Sequence, residues 1–272
     1  DKVFPLMSKT VLILGVANHR SIAWACVQSF LERQYRVVFT YQNQRFAKTS
    51  QDLILNSGYE SQLLSALPCD VQNNELPILF QDRLPELLGD TLKLDAIIHS
   101  IAYAPSDAMK GGSLMTTSKQ AFLQAHEISA YSFLETAQCA LPLLIPGISS
   151  LTTLSYLGAV RAVPNYNVMG PAKASLEALV RGIALELPQY RINAVSAGPI
   201  ATLASRGISN FSTLLHQVPQ QAPLQRNVTV QEVANTVRYV ATEATGMTAQ
   251  TIYIDAGFHT AVGGISSTIS SS

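Results

Sequence analysis

The sequence predicts an α/β fold: a doubly wound, seven-stranded parallel sheet with helices on both faces, forming a single domain over residues 1–272. Three observations carry that expectation. Short apolar runs alternate with longer helix-patterned segments along the chain. The runs are continuously apolar rather than alternating, as in parallel strands covered on both faces. No linker rich in Pro, Gly or Ser divides the chain and no repeat is visible; only the tail GGISSTISSS, near 263–272, looks loose.

In chain order the expected strands are VLILGV (11–16), RVVFTY (36–41), QLLSAL (62–67), DAIIHSIA (95–102), SLTTLSY (150–156), RINAVSA (191–197) and TIYIDAG (251–257). Segments of helical pattern lie between them, such as FLQAHEISAYSFLETAQCAL and ASLEALVRGIALEL. One helix start is marked in detail. Thr229 followed by Glu232 fits a capping box, in which each side chain satisfies the other residue's backbone amide.

Composition excludes several classes. Of the residues 47% are hydrophobic and 13% charged, and 18 basic side chains balance 18 acidic ones. That favours a buried core and gives no basic surface for a nucleic acid or an anionic membrane. No apolar run approaches the ~18–20 residues that span a bilayer. The opening DKVFPLMSKT lacks the layout of a secretion signal. Cys26, Cys69 and Cys139 are isolated and odd in number, which fits buried thiols in a reducing cytoplasm. The five histidines show no metal spacing and read as polar surface or turn residues.

A Rossmann-type sheet binds ligands at the carboxyl ends of its strands, where strand order reverses. The first strand ends at Gly15 and runs through Ala17 to Ser21-Ile22-Ala23. Small residues there let backbone approach a pyrophosphate at a helix N-terminus, although an ordinary tight turn reads the same way. After the second strand Gln42 suits a ribose 2′-hydroxyl, and Arg45 nearby leaves NADPH open beside NADH. Asp70, after the third strand, suits either an adenine amino group or a helix cap.

The chemistry concentrates in LSYLGAVRAVPNYNVMGPAK, residues 154–173. Tyr166 and Lys173 are seven apart. A reaction that builds negative charge on a substrate oxygen calls for a fixed donor and a nearby cation. A phenol supplies the first and an ammonium the second. Pro171 would clash deep in a helix, so it belongs in a first turn or a distortion, with Tyr166 at or before the helix start.

SYLGAVRAVPNYNVMGPAKASLEA, HSIAYAP, SAGPIATLASRGI and GVANHRSIA together resemble the bacterial NADH-dependent enoyl-[acyl-carrier-protein] reductases, within the short-chain dehydrogenase/reductase superfamily. The resemblance runs from about residue 9 to about residue 260 and is most specific at Tyr-x6-Lys, where the wider superfamily has Tyr-x3-Lys. It implies a cytoplasmic, homotetrameric enzyme of fatty-acid elongation acting on an acyl-carrier-protein thioester. The resemblance makes Gly15, Ser21, Ile22, Gln42, Asp70, Val71, Ser100, Ile101, Lys173, Ile200 and Thr202 cofactor contacts. It places Ala104, Tyr156, Tyr166, Met169, Ile208 and Phe211 around the acyl chain, and makes Tyr156, Tyr166 and Lys173 catalytic. Residues 201–217, with Leu203, Ile208, Phe211 and Leu215 in partly helical spacing, suit a mobile lid over an apolar substrate. Three departures stand out: Ala201 for a common arginine, Trp24 for a common tyrosine, and a shorter turn at LELPQYRIN.

Overall fold

The protein was analysed as a computed structural model, which describes residues 9–59, 61–89, 93–109, 114–202, 205 and 211–261. The tail near 263–272, Ile208 and much of the expected lid lie outside the described residues.

All seven expected strands form: β1 (Thr10–Leu14), β2 (Arg36–Tyr41), β3 (Leu63–Pro68), β4 (Ala96–His99), β5 (Ser150–Ser155), β6 (Arg191–Ala197) and β7 (Thr251–Ile254). They pair in parallel, in the order β3-β2-β1-β4-β5-β6-β7. The direction of winding reverses between β1 and β4, which opens a crevice at their carboxyl ends.

The helices are α1 (Ile22–Leu31), α2 (Gln44–Leu55), α3 (Glu75–Ile78), α4 (Leu84–Leu88), α5 (Lys119–His126), α6 (Ser132–Ala140), α7 (Met169–Glu186), α8 (Phe211–Gln221) and α9 (Val230–Thr242). Side chains of β1 explain the continuous apolar runs. Val11 and Ile13 join one core layer, with residues of α1 and α9. Leu12 and Leu14 face the other layer, with residues of α6 and α7. Successive side chains point to opposite faces, so covering both faces requires apolar residues at every position. The edge strands β3 and β7 are only partly buried, whereas β1 and β5 are buried throughout.

Local signals behave as expected. Thr229 and Glu232 form the reciprocal capping box of α9. Pro171 falls in the first turn of α7. The carbonyl of Asn167 accepts instead from Gly170 N–H at 3.1 Å, so proline's missing donor leaves it paired. Trp24 is buried and packs edge-on to Phe39, with ring centroids 5.9 Å apart. Cys26 and Cys69 are buried and Cys139 is half-buried. Burial pushes the first two thiols up to about 12.

One expectation fails. His99 is not a surface or turn residue but lies 1% exposed in β4. Its Nδ1 is 3.0 Å from Thr153 Oγ1 and its Nε2 is 2.8 Å from Ser132 Oγ. With both ring nitrogens partnered, imidazole is tolerated inside a central strand. Burial, then the charge of Lys173, lowers its pKa to about 3, so the ring is neutral. Among the described residues, no helix is long and apolar enough to cross a membrane.

Candidate active site

A cleft of about 570 Å³ opens at the carboxyl ends of the strands. It is built from three parts: a turn after β1, a polar shelf after β2 and β3, and a reactive wall after β4 and β5.

Gly15 makes the turn at φ +95°, and a Cβ there would stand 2.3 Å from the Ser100 carbonyl oxygen. Both facts require glycine. The close approach of the Gly15 and Ser100 segments brings Ser21 and Ile22 to one end of the cleft and Ser100 and Ile101 beside them. Asn18 Oδ1 accepts from Arg20 N–H at 2.8 Å, and the Ser21 hydroxyl caps Trp24 N–H at 3.2 Å. The following helix, α1, therefore presents a properly formed N-terminus, the backbone environment that suits a phosphate.

The shelf carries Gln42, Asp70 and Val71. Of the two roles that the sequence left open for Asp70, the structure shows the helix cap. Asp70 caps a short turn by accepting from Gln72 N–H at 3.1 Å, and it lines the cleft. Gln42 Nε2 donates to Asp70 Oδ2 across 3.4 Å.

The reactive wall is the buried part. Tyr156 follows β5 directly, and Tyr166 precedes α7 in a tight loop held by left-handed Asn165 (φ 64°) and Asn167 (φ 37°). The two rings meet edge to face, 4.7 Å between centroids and 65° between planes. Gly158 makes this possible, since a Cβ on it would lie 2.3 Å from Tyr166 Cδ1. Lys173, 5% exposed, donates from Nζ to the Leu154 carbonyl at 2.8 Å. Two of its three donors remain for a ligand. Among the described residues the buried Tyr156 hydroxyl oxygen has no hydrogen-bond partner, so a bound molecule is its natural complement.

Titration follows burial. Desolvation raises the Tyr166 phenol well above its ordinary value, with Tyr156 adding to it. Desolvation also raises Tyr156, with a further contribution from Asp255. Burial lowers Lys173 to about 8, opposed by the carboxylate of Glu177.

The structure therefore gathers Gly15, Ser21, Ile22, Gln42, Asp70, Val71, Ser100, Ile101, Tyr156, Tyr166, Lys173 and Thr202 around one cleft. Thr202 is steadied by Ser205, whose Oγ accepts from Thr202 N–H at 2.9 Å. Ala104 and Met169 form an apolar cluster with the two tyrosines, outside the cleft lining itself. Ile200 packs against the core, and Phe211 opens α8 half-buried; neither lines the cleft. Phe46, Tyr103 and Gln124 also line the cleft and were not anticipated. Phe46 and Gln124 reach it only through the packing of α2 and α5, and no local pattern marks them. Tyr103 had a signal: it lies inside HSIAYAP, beside the Ala104 already singled out.

Comparison with known proteins agrees with this geometry. A family model described as "Enoyl-(Acyl carrier protein) reductase" matches residues 15–259, from the glycine turn after β1 to just beyond β7. The chain belongs to the enoyl-(acyl carrier protein) reductase family. It is 41% identical over 256 residues to the enoyl-[acyl-carrier-protein] reductase [NADH] of Haemophilus influenzae, covering 93% of this chain and 95% of that one. A Bacillus cereus enoyl-acyl carrier protein reductase, solved with NADP+ and indole naphthyridinone, superposes with a TM-score of 0.87 at 39% identity. That match covers 94% of this chain and 97% of that one. The Anaplasma phagocytophilum reductase solved with NAD gives a TM-score of 0.84 at 38% identity, over 93% and 94% of the two chains.

Proposed function

We propose that the protein reduces the 2,3-double bond of a trans-2-enoyl-acyl-carrier-protein thioester with NADH, the last reductive step of fatty-acid elongation. The observation that carries this reading is the packed Tyr156–Tyr166 pair in one cleft with Lys173, a cleft whose glycine turn would suit a dinucleotide.

Bound NADH would supply a hydride to the substrate's β-carbon, and the resulting enolate takes a proton at its α-carbon from water to give the saturated thioester. The Tyr166 hydroxyl donates a hydrogen bond to the thioester oxygen as charge gathers there. A phenol held above its ordinary pKa by burial keeps its proton, which suits donation better than full proton transfer. Lys173 uses its two remaining donors on the nicotinamide ribose, and its positive charge favours the enolate. Tyr156 shapes the pocket and offers the bound molecules its hydroxyl, whose oxygen has no partner among the described residues. Ala104 and Met169 supply apolar contact for the acyl chain, together with Ile208 and Phe211 from the lid near 201–217. At the far end Gly15, Ser21 and Ile22 hold the pyrophosphate, and Gln42, Asp70 and Val71 the adenosine.

The acyl carrier protein presents the substrate, and the enzyme works in the cytoplasm as a homotetramer. Exposed Phe122, Leu123 and Tyr131 along α5 and its continuation support assembly, because they form apolar surface that a further copy would cover.

The test is turnover of crotonyl thioester with NADH, followed by loss of reduced-cofactor absorbance. Crotonyl but not acetoacetyl thioester is consumed if the reading is right. Preference for the acetoacetyl substrate would mean carbonyl reduction instead. Tyr166→Phe lowers kcat by about two orders of magnitude with NADH affinity nearly unchanged; an equal loss in affinity would remove Tyr166 from the reacting end.

A further inference from the structure

Glu177 is a buried carboxylate that this chemistry leaves unused. It stands one helical turn beyond Lys173 on α7 and is 5% exposed. Side chains four apart on a helix are neighbours, with Cβ atoms about 5–6 Å apart. The Ser155 hydroxyl donates to Glu177 Oε1 at 2.5 Å, and the preceding Leu154 carbonyl accepts from Lys173 Nζ at 2.8 Å. Two consecutive residues at the end of β5 thus grip two residues of α7, one carrying each sign of charge. Among the described residues Ser155 is the one hydrogen-bond partner of the Glu177 carboxylate, and Glu177 enters no close ion pair. Burying a carboxylate is a costly way to add a single helix-to-sheet contact, which an apolar side chain would supply by packing alone.

We propose that Glu177 is a positioning residue for the reaction: its carboxylate, oriented by Ser155, holds the Lys173 side chain as an ammonium at the strand end where the cofactor binds. The proposal rests on the reading of Lys173 as the ribose-binding cation. Other titratable groups surround this layer: His99 on β4, Tyr156, Tyr166, and Tyr253 and Asp255 at the end of β7. His99 is neutral at its depressed pKa of about 3, and both phenols next to Lys173 are held above their ordinary values and keep their protons. Asp255 is occupied by His259, with Nδ1 3.0 Å from both carboxylate oxygens. Tyr253 lies near Glu177, Asp255 and Arg161. Glu177 is the group whose charge opposes the desolvation of Lys173, which burial alone pulls toward neutrality.

The test uses Glu177→Gln, which keeps a hydrogen-bond acceptor for Ser155 and removes the charge. Lys173 is titrated directly in the cofactor-free enzyme by NMR of ε-13C-labelled lysine, with its signal assigned by loss in Lys173→Arg. In Glu177→Gln the titration moves down by about one pH unit. NADH affinity then falls about fivefold at pH 8 and hardly changes at pH 6, since such a shift takes an ammonium from half to about a tenth populated at pH 8. A Lys173 titration that does not move overturns the proposal. A titration that moves while NADH affinity stays flat with pH supports the Glu177 role and instead removes Lys173 from the ribose. Should Glu177→Gln fail to fold, Ser155→Ala frees the carboxylate from its anchor and moves the same signal down by a smaller amount; no movement there is equally fatal.

Discussion

The two ends of the cleft are built on opposite principles. At the reactive end Tyr166 and Lys173 are 8% and 5% exposed, locked by ring contact, tight loops and a carbonyl hydrogen bond. At the polar shelf Gln42 is exposed, Asp70 is half-buried, and the bond between them spans 3.4 Å. Burial fixes geometry but perturbs titration, as the raised phenols and the lowered lysine show. Exposure lets hydrogen bonds discriminate among ligands at small energetic cost. Rate should therefore depend on the buried end and cofactor choice on the exposed one.

Gly158→Ala is the strongest challenge to this division. The added methyl would overlap the Tyr166 ring, 2.3 Å from Cδ1 and 2.7 Å from Cε1. A packed ring cannot yield without moving its hydroxyl, and displacements of about 1 Å at a reacting centre cost about 100-fold in rate. The expected result is a kcat lower by about two orders of magnitude, with NADH affinity, measured by cofactor fluorescence, close to wild type. Loss of both together would show that Gly158 supports the whole cleft rather than the phenol.

The buried lysine also leaves a mark on stability. Its folded value is about 8 against an ordinary 10.5. Between those two pH values the unfolded chain binds more protons at this site than the folded one, so this contribution to stability rises with pH through the window. Below about pH 8 the full penalty of burying the ammonium applies. The cofactor-free wild type should therefore gain on Lys173→Met by up to about 1.4 kcal/mol per pH unit between pH 8 and 10. Urea denaturation of both proteins across that range measures it. A constant difference would mean that Lys173 is not desolvated in solution.

Most of the frame was legible in the sequence because burial on both faces imposes continuous apolar runs, and seven such runs became seven strands. Capping chemistry at Thr229 and Glu232 and the placement of Pro171 were legible because each is decided within four residues. Tyr166 and Lys173 were legible as a spacing. Their surroundings were not: Glu177 reads as one more polar residue of a helix until α7 is laid on β5 and Ser155 reaches it. His99 shows the same limit. Thr153 and Ser132, which make its burial tolerable, are 54 and 33 residues away in the chain.

The smallest effect belongs to the polar shelf, proposed above to hold the adenosine. Gln42 gives one of its two amide N–H groups to Asp70 and turns its carboxamide oxygen to the role of acceptor for a ribose 2′-hydroxyl. A 2′-phosphate would meet that oxygen and the Asp70 carboxylate, with like charges opposed; Arg45 follows in the first turn of α2, its amide capped by Asn43. One neutral hydrogen bond contributes about 0.5–1.5 kcal/mol. Gln42→Ala should therefore weaken NADH binding only severalfold and leave kcat unchanged. Gln42→Arg should raise the ratio of kcat/KM for NADPH over NADH, because it replaces the acceptor with a cation suited to phosphate. Steady-state kinetics with both cofactors decides the matter. A fall in kcat for Gln42→Ala as deep as that for Gly158→Ala would show that the exposed end also sets the geometry of the reaction, and the separation of rate from selectivity would be lost.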